Sequence, residues 1–147
     1  FVVATSAAKA YLITNILQGA VREGAAWNIR NLGVNFPFAA QPGMSPDAGD
    51  GWFVGYTTDL LVVVWIGYDD DRPLPLQVSQ GAARICLRFI HRIRPWIQPQ
   101  DFRVPPGIAQ RLICVESGQL ATTHCRKKRI EVFLEQHVPK EYCTLHN

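Results

Sequence analysis

The sequence has 147 residues, of which 48% are hydrophobic and 18% are charged, and its formal net charge is +3. These proportions exclude a disordered chain, and the length allows one domain with a real core. So small a charge, without a basic and aromatic recognition pattern, gives no reason to expect a nucleic-acid partner. We find no signal peptide and no membrane-spanning run, and the first residue is Phe rather than Met. We therefore expect a piece of a longer protein.

The first predicted element is an amphipathic helix over residues 7–23. Thr5 or Ser6 is suited to cap its start and Gly24 to end it. Its apolar stripe, at helical spacing, comprises Leu12, Ile13, Ile16, Leu17, Ala20 and Val21. Any core helix has such a stripe, so this one does not indicate a function.

A β-hairpin over residues 51–66 is the most informative predicted element. Its first strand places Trp52, Val54 and Tyr56 on one face and Phe53 on the other. A polar turn at residues 57–59 then leads into a second strand.

The second strand of this hairpin, residues 60–66, is an unbroken apolar run rich in valine. Such a run is typical of a central strand that is covered on both faces. We therefore expect Val62, Val64 and Trp65 to be buried.

A second helix is predicted over residues 80–94, with Ser79 as its N-cap and Pro95 at its end. Its predicted core face comprises Ala82, Ala83, Ile85, Cys86, Phe89, Ile90 and Ile93. Its basic face comprises Arg84, Arg88, His91 and Arg92, and we interpret this face as solvated.

From residue 98 onward prolines mark a linker, and two short strands are predicted over residues 111–115 and 130–134. We therefore divide the chain into residues 1–97 and a C-terminal extension, residues 98–147, that carries a small β element.

Several blocks of the sequence resemble, in the correct order, the class A (bifunctional) penicillin-binding proteins. The hairpin looks like two strands that in this family follow the Lys-Thr-Gly active-site strand. The first is a Trp-Phe-Val-Gly-Tyr strand and the second is an apolar strand. Residues 10–24 resemble the helix before that active-site strand, and residues 74–93 the closing helix. Residues 104–107 and the tail through 141–146 resemble the C-terminal end of these proteins.

The resemblance implies an α+β fold, in which helices pack on an antiparallel sheet as in the penicillin-binding and serine β-lactamase-like transpeptidases. It implies part of a peptidoglycan DD-transpeptidase domain, a serine enzyme that works through an acyl-enzyme and uses no cofactor. The alternative is a degenerate, non-enzymatic scaffold or interaction module, or a non-functional remnant.

The family reaction needs a Ser with a Lys three residues later to activate it. Ser6 and Lys9 match this bare pattern, but they lie just ahead of a helix that in the family follows the nucleophile by a long interval. We interpret Ser6 as a helix cap and expect no intact catalytic residue in this chain. The nucleophile is expected in a missing upstream half of the domain.

Counting back from Trp52 places the family's substrate-binding motif on residues 39–47. The Lys of the motif becomes Gln41 and the Thr becomes Pro42, whereas Gly43 is retained. The change to Gln41 removes a positive charge, and the change to Pro42 removes a hydroxyl. Pro42 also lacks the backbone N–H that a strand paired on both sides needs. The N–H of Met44 would still offer half of the family's oxyanion hole. We therefore expect a degenerate site at these four positions.

The cysteines are Cys86, Cys114, Cys125 and Cys143. Cys86 lies on the apolar face of a predicted helix and is expected to be a buried small hydrophobe. His124 and Cys125, with Cys143 and His146, have the residue types of a zinc site, but adjacent His and Cys do not easily bind one ion. Because this spacing is weak, we expect no metal. The resemblance favours a Cys125–Cys143 disulfide, and free thiols are the other alternative.

The resemblance also implies partners and a location. The ligand expected for the family is a peptidoglycan stem peptide or a β-lactam, with weak or no binding by this chain. The expected location is the extracytoplasmic, periplasmic face of the bacterial inner membrane.

Overall fold

The computed structural model describes residues 3–23, 33–70, 72–75 and 81–146. Its helices and strands are α1 (Ala7–Arg22), β1 (Ala39–Met44), β2 (Asp50–Tyr56), β3 (Leu61–Gly67), α2 (Gly81–Ile93), β4 (Ile108–Cys114) and β5 (Lys128–Leu134). Helices and antiparallel sheets give the α+β class that the sequence predicts. No helix in the described ranges is long and apolar enough to cross a membrane.

The described chain divides into two compact units. The larger unit runs from residue 14 to residue 102, and the smaller unit combines residues up to 13 with those from 103 onward. The predicted division of the sequence after residue 97 stays a prediction.

The larger unit contains a three-stranded antiparallel sheet in the order β1-β2-β3. In the hairpin of β2 and β3, Trp52 lies opposite Trp65 and Tyr56 opposite Leu61. The turn is held by Thr57, whose hydroxyl accepts hydrogen bonds at 3.2 Å from the backbone N–H groups of Asp59 and Leu60. The predicted hairpin is confirmed.

The predicted central position of the second hairpin strand is wrong. Within the described residues β3 is an edge strand, and its side chains alternate in burial. Val62 and Val64 pack against the core, but Val63 and Trp65 are 54% and 48% exposed. Among the described residues, the apolar run therefore has one covered face, which joins the core that α2 also lines. Trp65 instead donates a hydrogen bond from Nε1 to Asp50 Oδ1 at 2.6 Å.

The core of the larger unit lies between the sheet and α2. Phe38 and Phe53 are buried there, and α2 contributes Ala82, Cys86, Leu87 and Ile90. The predicted face of α2 is wrong at Ile85 and Phe89, which are about half exposed, and it omitted Leu87. The helix therefore meets the sheet through a stripe rotated toward Leu87. The predicted cap, Ser79, lies outside the described residues.

The predicted helix α1 is confirmed, and Ser6 caps it by accepting a hydrogen bond from the Lys9 N–H at 3.3 Å. Its stripe is only partly buried. Val21 joins the core, whereas Ile13 and Ile16 are 57% and 64% exposed. The proposed end of the helix, Gly24, lies outside the described residues.

The smaller unit is built on the antiparallel ribbon of β4 and β5, which confirms the two predicted short strands. A turn follows β4, in which Gly118 has a φ of +71° and donates its N–H to the Cys114 carbonyl at 2.9 Å. Leu120 then forms bridges to Ile113 and to Tyr142, so the C-terminal tail lies beside the end of the ribbon.

Candidate functional site

The residues predicted to form the degenerate motif lie on β1, which pairs with β2. Gln41 is opposite Val54 and Pro42 is opposite Phe53, so the predicted neighbour of the motif strand is confirmed. Within the described part of the chain, β1 has no strand on its other side. A proline is tolerated in such an edge strand, because one side of the strand makes no ladder hydrogen bonds.

The side chains of the motif offer little to an anionic ligand. The Gln41 side chain donates a hydrogen bond from Nε2 to the Pro42 carbonyl at 3.0 Å. Pro42 has no side-chain donor, and β1 carries no basic residue. The strand therefore has neither the charge nor the hydroxyl that would bind a carboxylate.

The turn after β1 is fixed by polar contacts. Ser45 Oγ accepts a hydrogen bond from the Asp50 N–H at 2.9 Å, and Asp47 Oδ1 accepts one from the Gly49 N–H at 3.2 Å. Hydrogen bonds from the Ser45 hydroxyl and the Gly49 N–H lower the pKa of Asp47 below its ordinary value of 3.8. The turn thus holds β1 in register with β2.

A second group of reactive side chains occurs in the smaller unit. Cys114 ends β4, Cys125 lies in the loop before β5, and Cys143 and His146 lie in the C-terminal tail. One ligand atom from each of these residues lies within 4.8 Å of the others. The three thiols are buried and the imidazole is partly buried. We call these four residues the Cys3His cluster.

The imidazole of His146 is held at both nitrogens. Its Nδ1 lies 3.2 Å from Cys143 Sγ and 3.5 Å from Cys114 Sγ. Its Nε2 lies 2.7 Å from Glu116 Oε2. The Thr122 hydroxyl donates a hydrogen bond to the His146 carbonyl at 3.1 Å. The ring is therefore oriented toward the sulfur atoms by contacts outside the cluster.

The cluster shifts the protonation of its members. Hydrogen bonds from the Ser117 hydroxyl and then from His146 lower the pKa of Cys143 to about 6, although burial opposes this. Hydrogen bonds to Cys143 and Cys125 raise the pKa of His146 to about 9. At neutral pH these contacts favour a thiolate at Cys143, which is the form of cysteine that binds metals.

The structure adds Cys114 to three residues that the sequence had already grouped, Cys125, Cys143 and His146. Cys125 and Cys143 lie close, as the disulfide hypothesis requires, but all four cysteines are free thiols in the structure, and the pairing stays a prediction. The zinc set weighed from the sequence contained His124, which is exposed, whereas the cluster contains Cys114 instead. The one local signal was the Cys143-x-x-His146 spacing, because Cys114 reaches the tail only through the fold.

Comparison with known proteins gives matches across both units. Residues 104–147 match the family model "Penicillin-binding protein 1A, C-terminal domain". Penicillin-binding protein 1A of Rickettsia bellii is 30% identical over 118 residues, covering 79% of this chain and 15% of that protein. Penicillin-binding protein 1A of Clostridium perfringens is 26% identical over 142 residues, covering 92% of this chain and 17% of that protein.

A solved structure agrees with these sequence matches. The crystal structure of penicillin-binding protein 1A from Haemophilus influenzae superposes with a TM-score of 0.84 at 19% identity. The superposition covers 95% of this chain and 22% of the solved chain, and it shows the partial transpeptidase-like fold that the resemblance predicts. This chain thus spans 15–17% of the length of the two relatives named above. The sequence matches place the chain with the C-terminal part of the class A penicillin-binding proteins, and the solved structure shows the same fold.

Proposed function

We propose that the chain is the C-terminal part of a peptidoglycan DD-transpeptidase domain whose motif strand no longer supports acyl transfer. The family assignment supports the first half of this proposal. The second half depends on one observation, which is that β1 carries Gln41 and Pro42 at the motif positions.

The chemistry of acyl transfer explains why these two residues matter. A cation near the nucleophile and a hydroxyl that binds the substrate carboxylate both stabilise the transition state, and such electrostatic contributions are large in a water-poor site. Gln41 is neutral and its amide already donates to the Pro42 carbonyl. Pro42 contributes neither a hydroxyl nor an N–H. Of the family's elements, the N–H of Met44 remains available in principle as half of an oxyanion hole.

The proposal includes a place and a ligand for the protein. The chain would act at the periplasmic face of the bacterial inner membrane, joined to an upstream half that supplies the nucleophile. A peptidoglycan stem peptide or a β-lactam would bind weakly or not at all at β1.

A non-catalytic scaffold is the second candidate, and one contrast favours it. Positions that build the fold are tightly packed, as at Gly55, where Phe38 and Phe53 leave no room for a side chain. The motif positions on the adjacent strand, Gln41 and Pro42, have lost their reactive groups. A domain that keeps its packing and loses its chemistry is expected when only the structural role is retained.

The test of inactivity uses the chain itself and a labelled penicillin. We expect no covalent adduct by intact-protein mass spectrometry, because Ser6 caps α1 and no other serine of the chain has a Lys three residues later. Ser6→Ala is the matched control. A stoichiometric acyl adduct that disappears in Ser6→Ala would overturn the proposal and make Ser6 and Lys9 a nucleophile pair.

A further inference from the structure

We propose that the Cys3His cluster, formed by Cys114, Cys125, Cys143 and His146, is a structural zinc site. This inference does not rest on the proposed function, because the cluster lies in the smaller unit and contains no residue of the motif strand.

The ligand set and its dimensions fit zinc. Three cysteine sulfurs and one imidazole nitrogen form a standard closed zinc site, with Zn–S near 2.3 Å and Zn–N near 2.0 Å. In a regular tetrahedron with these bond lengths, a nitrogen and a sulfur lie about 3.5 Å apart. The observed separations of His146 Nδ1 from Cys143 Sγ and Cys114 Sγ are 3.2 and 3.5 Å. All four ligand atoms lie within 4.8 Å of one another, so one ion at the centre would bind them once the sulfurs move closer together.

The surroundings of the cluster are those of a metal site. A histidine that binds zinc through one nitrogen usually has its other nitrogen held by a carboxylate or a carbonyl, and Glu116 holds His146 Nε2 in this way. Backbone N–H groups of Glu116 and Ser117 point to the Cys114 sulfur, and that of Leu145 points to the Cys143 sulfur. The Thr122 N–H donates to Cys125 Sγ at 3.3 Å. These donors stabilise thiolates without competing for their place on an ion.

The smaller unit also has too small an apolar core to be stable without a cross-link such as a bound metal. In its described residues, the buried hydrophobic side chains are Ile113 and the three cysteines of the cluster. A unit of this size with so small an apolar core is usually stabilised by a disulfide or a metal. A bound ion would join the end of β4, the loop before β5 and the tail, which are distant in sequence. The four protein ligands leave no open position, so the role is structural rather than catalytic.

The competing arrangement is the Cys125–Cys143 disulfide. The disulfide would use two of the three thiols of the cluster. Cys114 and His146 would then lie side by side with no metal ion bound between them. The two arrangements are exclusive, because a sulfur in a disulfide is not a thiolate ligand. They therefore predict different metal contents and different masses for the same protein.

The experiment measures metal in the whole chain, purified without chelator from cells supplied with zinc. We expect about one zinc per chain by elemental analysis, and less than about a tenth of that in Cys143→Ser and in Cys114→Ser. Cys86→Ser and His124→Ala are the matched controls, since Cys86 lies in the other unit and His124 is outside the cluster. Both controls are expected to keep the zinc of the parent.

A second measurement needs no variant, and so it holds even where a substituted chain fails to fold. Zinc is removed from the parent protein, Co²⁺ is added, and the visible and near-ultraviolet absorption is recorded. We expect the absorption spectrum of tetrahedral Co²⁺, with sulfur-to-cobalt charge-transfer bands. X-ray absorption of the zinc form should fit about three sulfurs near 2.3 Å and one nitrogen near 2.0 Å. A metal-free protein without affinity for Co²⁺, or one whose mass and peptide map show a Cys125–Cys143 disulfide, would overturn the proposal.

Discussion

The Asp47 carboxylate has a lowered pKa because the Ser45 hydroxyl and the Gly49 N–H donate hydrogen bonds to it. A carboxylate with a lowered folded-state pKa stabilises the fold above its unfolded pKa. That contribution is lost as the pH falls through the folded-state value. We expect Asp47→Asn to melt below the parent at about pH 6, and the difference to shrink as the pH falls toward about 2. Asp101→Asn, at an exposed position, is the control. A melting-temperature difference that is constant with pH would contradict this role of Asp47.

The Cys86 thiol lies fully buried against the sheet, and burial raises its pKa to about 11. Because the thiolate is the reactive form, we expect Cys86 to resist alkylation by iodoacetamide at about pH 8 in the folded protein. Peptide mass spectrometry should find the label on Cys86 only after the protein is unfolded. Labelling of Cys86 in the folded chain at the rate of an exposed thiol would show that α2 does not cover it.

At the scale of the elements, Gly55 shows how tightly β2 packs in the core. A methyl group there would overlap the Phe38 ring and lie 3.0 Å from Phe53 Cε1, whereas one at Gly43 would only touch Trp52 Cβ at 3.5 Å. We expect Gly55→Ala to lower the free energy of unfolding by about 1–3 kcal/mol, as overpacking does. Gly43→Ala should change it by less than about 0.5 kcal/mol. Urea unfolding measures both, and equal effects would contradict the described packing.

The two faces of β3 allow a second paired test. Val64 packs against the core and Val63 on the other face is 54% exposed, so an aspartate is buried at one position and hydrated at the other. Val64→Asp should cost roughly 2 kcal/mol or more, and Val63→Asp less than about 1 kcal/mol. The readout is again urea unfolding. If the two variants lose the same stability, β3 is covered on both faces in solution.

The elements that could be predicted from the sequence are those with local signals. The periodicity of α1, the alternation in β2 and the turn at Thr57 are properties of neighbouring residues, and each was predicted. The burial of β3 was not, because an apolar run does not reveal how many of its faces are covered. The stripe of α2 was misplaced for a similar reason, since Ile85 and Leu87 are both apolar and only the position of the sheet selects between them.

At the scale of the whole molecule, the motif strand and the Cys3His cluster differ in how much of each can be predicted from the sequence. Counting from Trp52 predicts which strand carries the motif positions, and its pairing with β2 follows from the short turn between the two strands. The Cys3His cluster could not, because Cys114, Cys125 and the tail meet only when the ribbon of β4 and β5 has formed. A long-range site of this kind carries no fixed spacing in the sequence.

The central claim is that Gln41 and Pro42 slow acyl transfer. The most direct test joins the chain to an intact upstream half with a Ser-x-x-Lys from a related penicillin-binding protein. In this chimera Gln41→Lys with Pro42→Thr restores the charge and the hydroxyl, and Gln110→Lys on the exposed side of β4 controls for added charge alone. We expect the double change to raise the rate of β-lactam acylation at least about tenfold, roughly 1.4 kcal/mol of transition-state stabilisation, and the control to leave it unchanged. Equal acylation rates in the parent chimera and the double variant would contradict the claim.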